Sequence, residues 1–244
     1  MNSDALKVAT LCGLAVLAFI VACTAHEAVG HGLACLGTGG KRTLLTSVYF
    51  RCNPGNPLTD LAGPAMNLAV AALAAATLPH TPMPSTRAVF LGLLLAFSGF
   101  WGAGYCIFSA VTDSGDLAFV LRDLSLQPRW LWRVGMGLIG LFLYRAIRKK
   151  AATVLPNGVP LIAAYCTVGA VSCLAVLFYQ GPQLAALRES AQESLLAPIG
   201  LIFGEFGKPA SRPYLAPASP AIIAVSVVVT VVFWFTLGRG FYGS

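Results

Sequence analysis

Charge is what this sequence has least of. Its 244 residues include only 16 Lys/Arg and 9 Asp/Glu, and that 10% compares with roughly 25% in soluble domains. So little charge excludes an ordinary water-soluble domain. The net charge of +7 comes with no basic stripe interleaved with aromatics, so nucleic acid is not an expected partner. No C-x-x-C pair occurs among the cysteines at 12, 23, 35, 52, 106, 166 and 173. Their number is odd and most lie inside apolar runs, so they read as small buried helix residues, with Cys52 alone in a clear loop. Internal repeats and low-complexity tails are absent too.

What is abundant is apolar sequence, 57% of the chain. Several runs reach the roughly 20 residues that cross a bilayer. The expected fold class is an all-α polytopic membrane protein with about six transmembrane helices, over 6–36, 58–78, 87–111, 131–147, 159–179 and 220–237. The first would be about 45 Å long at about 1.5 Å per residue, so it must tilt, bend or emerge. The stretch 43–52 is rich in Thr, Val, Tyr and Phe and predicts a short β-rich segment after helix 1. The polar connection 180–218 contains an amphipathic stretch, 184–196, expected to lie on the membrane surface. Arg145, Arg148, Lys149 and Lys150 follow the fourth run as a positive-inside loop should, whereas Lys41, Arg42 and Arg51 oppose that orientation. The start resembles a signal peptide, but Asp4 offsets Lys7 and apolarity continues past Cys23, which argues against cleavage.

The first run ends in Thr24-Ala25-His26-Glu27-Ala28-Val29-Gly30-His31-Gly32. Ionisable groups at membrane depth are expensive and mostly functional. Histidines with a carboxylate are also the groups that bind zinc and activate water. The usual zinc-protease helix is H-E-x-x-H, with ligands four apart; here they are five apart. Residues five apart on a regular helix diverge by about 140°. Two geometries restore a site. A π-bulge between His26 and His31, eased by Gly30, would put both rings on one face with Glu27 as general base. Alternatively the helix is regular, with Glu27 and His31 as ligands. The bulge is the preferred geometry. A third ligand must come from elsewhere in the chain, and Asp113 and Asp116 of Thr112-Asp113-Ser114-Gly115-Asp116 are the best candidates. His80, in a proline-rich turn, reads as solvated.

Together these pieces resemble the site-2 protease family of intramembrane zinc metalloproteases. Gly30 stands before His31 as glycine often does in that family's first motif. Gly63-Pro64-Ala65-Met66-Asn67 matches its G-P-x-x-N motif, and Thr112-Asp113-Ser114-Gly115 fits its aspartate turn. The resemblance covers about 10–125 and divides the chain into a metalloprotease-like core, 1–125, and three further helices in 126–244. It implies Zn2+ as cofactor, His26, His31 and Asp113 (or Asp116) as metal ligands, and Glu27 as catalytic base. Gly63, Pro64 and Asn67 would stand beside the substrate.

The expected activity is therefore hydrolysis of peptide bonds in membrane-protein substrates, by a multi-pass protein of the bacterial inner membrane whose other partner is the lipid bilayer. The edge of the β-rich segment would hold the unwound substrate by strand addition. The alternative is a non-proteolytic relative that binds a metal or a membrane-protein partner, supported by the extra residue in the histidine motif. A metal transporter is a third reading, weakened because helices 4 to 6 lack intramembrane carboxylates.

Overall fold

The structure, a computed structural model, describes residues 3–78, 85–156, 158–202 and 216–243. Six helices are long and apolar enough to cross a membrane: Ser3–Gly37, Pro57–Thr77, Thr86–Thr112, Arg129–Ala151, Val159–Phe178 and Pro220–Gly238. The protein is an all-α polytopic membrane protein with a small antiparallel sheet.

The first crossing is composite. Helix α1, Ser3–Thr24, passes into a π-turn, Ala25–His31, and ends as α2, Gly32–Gly37. Thr24 Oγ1 donates back to Ile20 O just before the π-turn (2.8 Å), a bond that tends to bend helices. The connection that follows forms β1, Lys41–Leu45, and β2, Phe50–Asn53, paired antiparallel with Leu45 opposite Phe50. Thr46 Oγ1 accepts from the N–H groups of Val48 and Tyr49 and shapes the turn between them. A disulfide joins Cys35 of α2 to Cys52 of β2 across 17 residues. Those two cysteines are thus a staple, not small core residues; the other five are free thiols.

The second crossing, α3 (Pro57–Thr77), starts where Asn56 caps Thr59 N (3.0 Å) and Pro57 supplies a preset first turn. The third, α4 (Thr86–Thr112), is capped by Ser85 and stopped by Asp113 in a left-handed conformation (φ 54°). Gly115 also has positive φ (81°), so the chain reverses sharply into α5, Asp116–Asp123. Then come α6, Arg129–Ala151, and α7, Val159–Ala175, which runs on through a 3₁₀ turn to Phe178. The last crossing is α9, Pro220–Phe233, extended by a π-turn to Gly238.

The long connection departs from expectation. The stretch 184–196 lies along the bundle with one face buried, Ala186, Ser190, Glu193 and Ser194, while Leu184, Leu187 and Leu196 are exposed. Helix α8, Gln183–Ala191, a π-turn, Gln192–Leu196, and a 3₁₀ turn, Ala197–Leu201, run back through the bundle. Hydrogen bonds mark the path: Ser190 to Ser172 (2.8 Å), Tyr165 Oη to Leu195 O (2.7 Å), Tyr144 Oη to Ala197 O (3.0 Å). Leu195 fills the space opposite Gly169. Ala197 packs on Gly104 and Gly200 on Tyr144, so the segment follows α7 back as far as the middle of α4 and α6. The polar residues that suggested an interfacial helix are instead paired inside: Ser190 and Ser194 are buried.

This return fixes the direction of α9. Ser219 N donates to Thr10 Oγ1 near the start of α1 (2.9 Å), and at the other end Ser47 N donates to Leu237 O (2.9 Å). Helices α1 and α9 are therefore parallel, touching through Gly13 and Ser226. A third strand, β3 (Phe241–Tyr242), follows α9 and pairs with β1, giving the sheet order β2-β1-β3. One hydrophobic core runs through the bundle, from Leu11 and Phe19 through Phe97 and Phe100 to Ile147, Val168 and Phe233.

Candidate metal centre

The π-turn decides the geometry of the histidine motif. Gly32 N donates to Glu27 O, five residues back. That winding carries His31 round to the face of His26. Their rings meet edge to face with centroids 4.8 Å apart. Both are buried, as is Glu27 between them in sequence.

Helix α3 approaches this turn closely because two glycines face it. A Cβ on Gly30 would stand 2.7 Å from Ala62 O, and one on Gly63 would stand 2.8 Å from His26 Nε2 and collide with the His31 ring. Small residues are what let membrane helices approach this far. Pro64, inside α3, lacks the N–H that Asp60 O would accept. One residue earlier, Thr59 O accepts from His31 Nδ1 at 2.6 Å. A carbonyl only accepts, so Nδ1 carries the proton and Nε2 of the neutral ring keeps its lone pair.

His26 is fixed in a similar way. Its ring stacks on Trp101 (4.9 Å, 14°) and on Tyr105 (5.3 Å, 29°). Asn67 Nδ2 lies 3.1 Å from His26 Nδ1, and Asn67 Oδ1 has no partner among the described residues. The two ends of a side-chain amide are interchangeable in shape. With the oxygen toward the ring, Nδ1–H donates to it and Nε2 is again the free nitrogen. Asn67 thus lies against a candidate ligand; Gly63 lies against both.

The third group is Asp116, and Asp113 is the correction. Asp113 ends α4 in the left-handed region, where its carbonyl accepts from Arg122 (2.9 Å). The turn through Ser114 and Gly115 then sets Asp116 at the head of α5, facing the rings. Asp116 Oδ2 is 3.4 Å from both His26 Nε2 and His31 Nε2. Burial works to raise its carboxyl, but the two rings outweigh that and hold it below the usual carboxylate range. His80 lies outside the described residues.

His26, His31 and Asp116 are the one group of three such donors, among the described residues, that could hold a metal ion, with all donor atoms within 4.8 Å. Two observations fit a metal. Tetrahedral bonds of about 2.0–2.1 Å separate donors by about 3.3 Å, close to the 3.4 Å seen twice here and long for a hydrogen bond. In addition, His26 Nε2 and Asp116 Oδ2 are buried without a hydrogen-bond partner. Glu27 Oε2 is likewise unpartnered beside them.

One residue near the site was not singled out by the sequence. Glu193, on the π-turn of the returning segment, is 4% exposed and neither carboxylate oxygen has a hydrogen bond. Burial pushes its carboxyl well above the usual carboxylate range, and Glu27 adds to that push. The chain beyond the third crossing thus does carry a buried carboxylate, although helices α6, α7 and α9 have none. In a polar connection that also holds Glu189 and Glu205, Glu193 looks solvated, and only the four-residue spacing of Ser190 and Ser194 hints at a packed polar face.

Comparison of the chain with protein-family models, curated proteins and solved structures finds no match.

Proposed function

We propose that the protein is an intramembrane zinc metalloprotease, hydrolysing peptide bonds of membrane-protein substrates at this centre. One observation carries the reading: a π-turn compensates for the extra residue in H-E-x-x-x-H and aims two imidazoles at one carboxylate oxygen. Three nitrogen and oxygen donors with a free fourth position are the pattern of a catalytic zinc site. Zinc held there would lower the pKa of its bound water to about 7 and polarise the scissile carbonyl.

The chain's own residues do the rest. Glu27 takes a proton from the water as its oxygen adds to the carbonyl carbon. The same carboxyl returns the proton to the amine as the C–N bond breaks. Thr59 O and the Asn67 amide keep both ring Nδ1 atoms turned away from the centre, which orients the ligands. Phe50 of β2 stacks on His31 (5.6 Å), so a peptide added to that strand would run beside the centre.

The test is a comparison of wild type, Glu27→Gln and His31→Ala in the same membranes. Wild type should bind about one zinc per chain and generate new peptide termini detectable by mass spectrometry. Glu27→Gln should keep zinc and lose the termini; His31→Ala should lose both. Cleavage undiminished in Glu27→Gln sinks the mechanism. Zinc binding without any cleavage by wild type favours a non-proteolytic metal-binding relative.

A further inference from the structure

Helix α4 ends at Thr112, and its last carbonyls need donors from outside the helix. Asp113 N reaches Ser109 O (3.1 Å), but the left-handed backbone at Asp113 stops the ladder there. One side chain of another crossing takes the next two carbonyls. Arg133 of α6 donates from Nε to Ala110 O (2.8 Å) and from Nη2 to Val111 O (3.0 Å). Arg122, in the last turn of α5, donates from Nη2 to Asp113 O (2.9 Å). Between these two clamps the hydroxyls of Thr112 and Ser114 bond each other (2.8 Å). Two guanidinium groups thus hold the chain just before the reversal and at its first residue, and the reversal leads into Asp116.

Arg133 reaches that place because α6 lies close on α4. Gly137 and Gly140 follow it by one and two turns on the same face. A Cβ on Gly137 would stand 3.3 Å from Ala110 Cβ, and one on Gly140 would stand 2.8 Å from Ala103 O. Small residues permit that approach. The residue type matters as well. A guanidinium presents its N–H groups as a rigid planar fork, which suits two successive carbonyls, whereas an ammonium is a point charge. Its charge also matches the negative end of the α4 dipole.

Asp116 depends on such a frame. The His26 and His31 rings are each held at Nδ1, by Asn67 and by Thr59 O. Asp116 Oδ2 stands 3.4 Å from both Nε2 atoms but makes no hydrogen bond among the described residues. Its place is inherited from the backbone of the reversal. That backbone also leans on the centre through Gly115, where a Cβ would stand 3.3 Å from the rings of Tyr105 and Phe108. Tyr105 is one of the rings stacked on His26.

We propose that Arg133 is a positioning residue for Asp116: it fastens the end of α4 and, with Arg122, fixes the reversal that carries the third metal ligand. The inference rests on the metalloprotease reading above. It gives the fourth crossing, which lies outside the three-motif core, a part in building the centre. Arg133 touches neither metal nor substrate in this assignment and acts only through Asp116.

The experiment is a double-mutant cycle on the full-length protein in detergent. Arg133→Gln and Arg133→Lys are each made in wild type and in Asp116→Asn, and zinc affinity is measured against chelators of graded strength, with thermal midpoints recorded in parallel. In wild type, Arg133→Gln should weaken zinc binding about tenfold, the low end of what loss of an orienting partner costs, and Arg133→Lys should lose less. In Asp116→Asn, Arg133→Gln should change affinity by less than about twofold, because the ligand it positions is gone. Unchanged affinity in Arg133→Gln overturns the proposal. So does an equal loss in both backgrounds, which is what general loosening of the bundle would give. If Asp116→Asn binds no zinc, the visible absorption of Co2+ bound to the Arg133 variants decides: a changed band shape supports the proposal and an unchanged one overturns it. Failure of wild type to bind zinc overturns the metal reading itself. If Arg133→Gln does not fold, Arg133→Lys carries the cycle alone.

Discussion

His26 and His31 are five residues apart, yet their Nε2 atoms stand at the same distance, 3.4 Å, from one oxygen of Asp116. A regular helix cannot do this, since the two side chains would diverge by about 140°. The relationship makes the π-turn, the α4–α5 reversal and Gly63 of α3 parts of one device, and each part is separately testable.

The two aspartates of the reversal should separate cleanly. Asp116→Asn should weaken zinc binding by about two orders of magnitude or more, exceeding the 10–100-fold that loss of an orienting partner costs. Asp113→Asn should stay within about twofold of wild type, because its side chain is outside the donor group. Zinc titration against a competing chelator measures both. Equal losses would put the reversal, not one ligand, in control.

Deleting Val29 restores the common H-E-x-x-H spacing but should not rescue anything. The deletion turns Ser3–Thr24 by about 100° relative to the rest of the helix. Leu11, Phe19 and Ala15, which are buried in the bundle, would swing out of their positions. We expect no monodisperse protein on gel filtration, whereas Val29→Ala, at a 36% exposed position, should fold normally.

Gly63→Ala should lower zinc affinity at least tenfold while leaving helix content unchanged. The added methyl stands 2.6 Å from His31 Cε1 and 2.8 Å from His26 Nε2. Alanine itself favours a helix by roughly 0.5–1 kcal/mol over glycine, so the loss would come from the crowded rings. Gly30→Ala acts on backbone instead, with Cβ 2.9 Å from Gly63 Cα. It should cost about 1–3 kcal/mol as α3 is pushed away. Zinc titration and thermal unfolding distinguish the two variants.

The Cys35–Cys52 bond closes 17 residues, and its removal by Cys52→Ser should cost about 3 kcal/mol. Stable disulfides belong to oxidising compartments. The staple sits at the centre's end of the bundle, while Arg145, Arg148, Lys149 and Lys150 end α6 at the opposite end. The centre should therefore open away from the cytoplasm. In Cys35→Ser, a maleimide that cannot cross membranes should label Cys52 in intact cells. Labelling only after permeabilisation would reverse the orientation.

Much of this arrangement was legible in the sequence, for identifiable reasons. Long apolar runs define crossings almost by themselves, so all six differ from expectation only at their ends. The five-residue histidine spacing admits few ways to build a site, and the π-turn is one of them. The aspartate was harder. Asp113 and Asp116 have the same chemistry, and only the left-handed backbone at Asp113 decides which one turns inward. The Cys35–Cys52 pair was hidden because Cys35 sits in apolar sequence, where a thiol looks like a small core residue. The buried face of 184–196 was hidden because serines pair equally well with water or with one another. Strand β3 is too short, at two residues, to leave a periodic signal.

The sheet order has a consequence for the protein's synthesis. Its central strand, β1, emerges early, just after the histidine helix, but one of its neighbours is β3, which follows α9. Between them the chain must also deliver Asp116. A newly made chain therefore carries both histidines long before it has a finished centre. The proposed centre would be complete only once the third crossing and the α4–α5 reversal have followed the histidine helix.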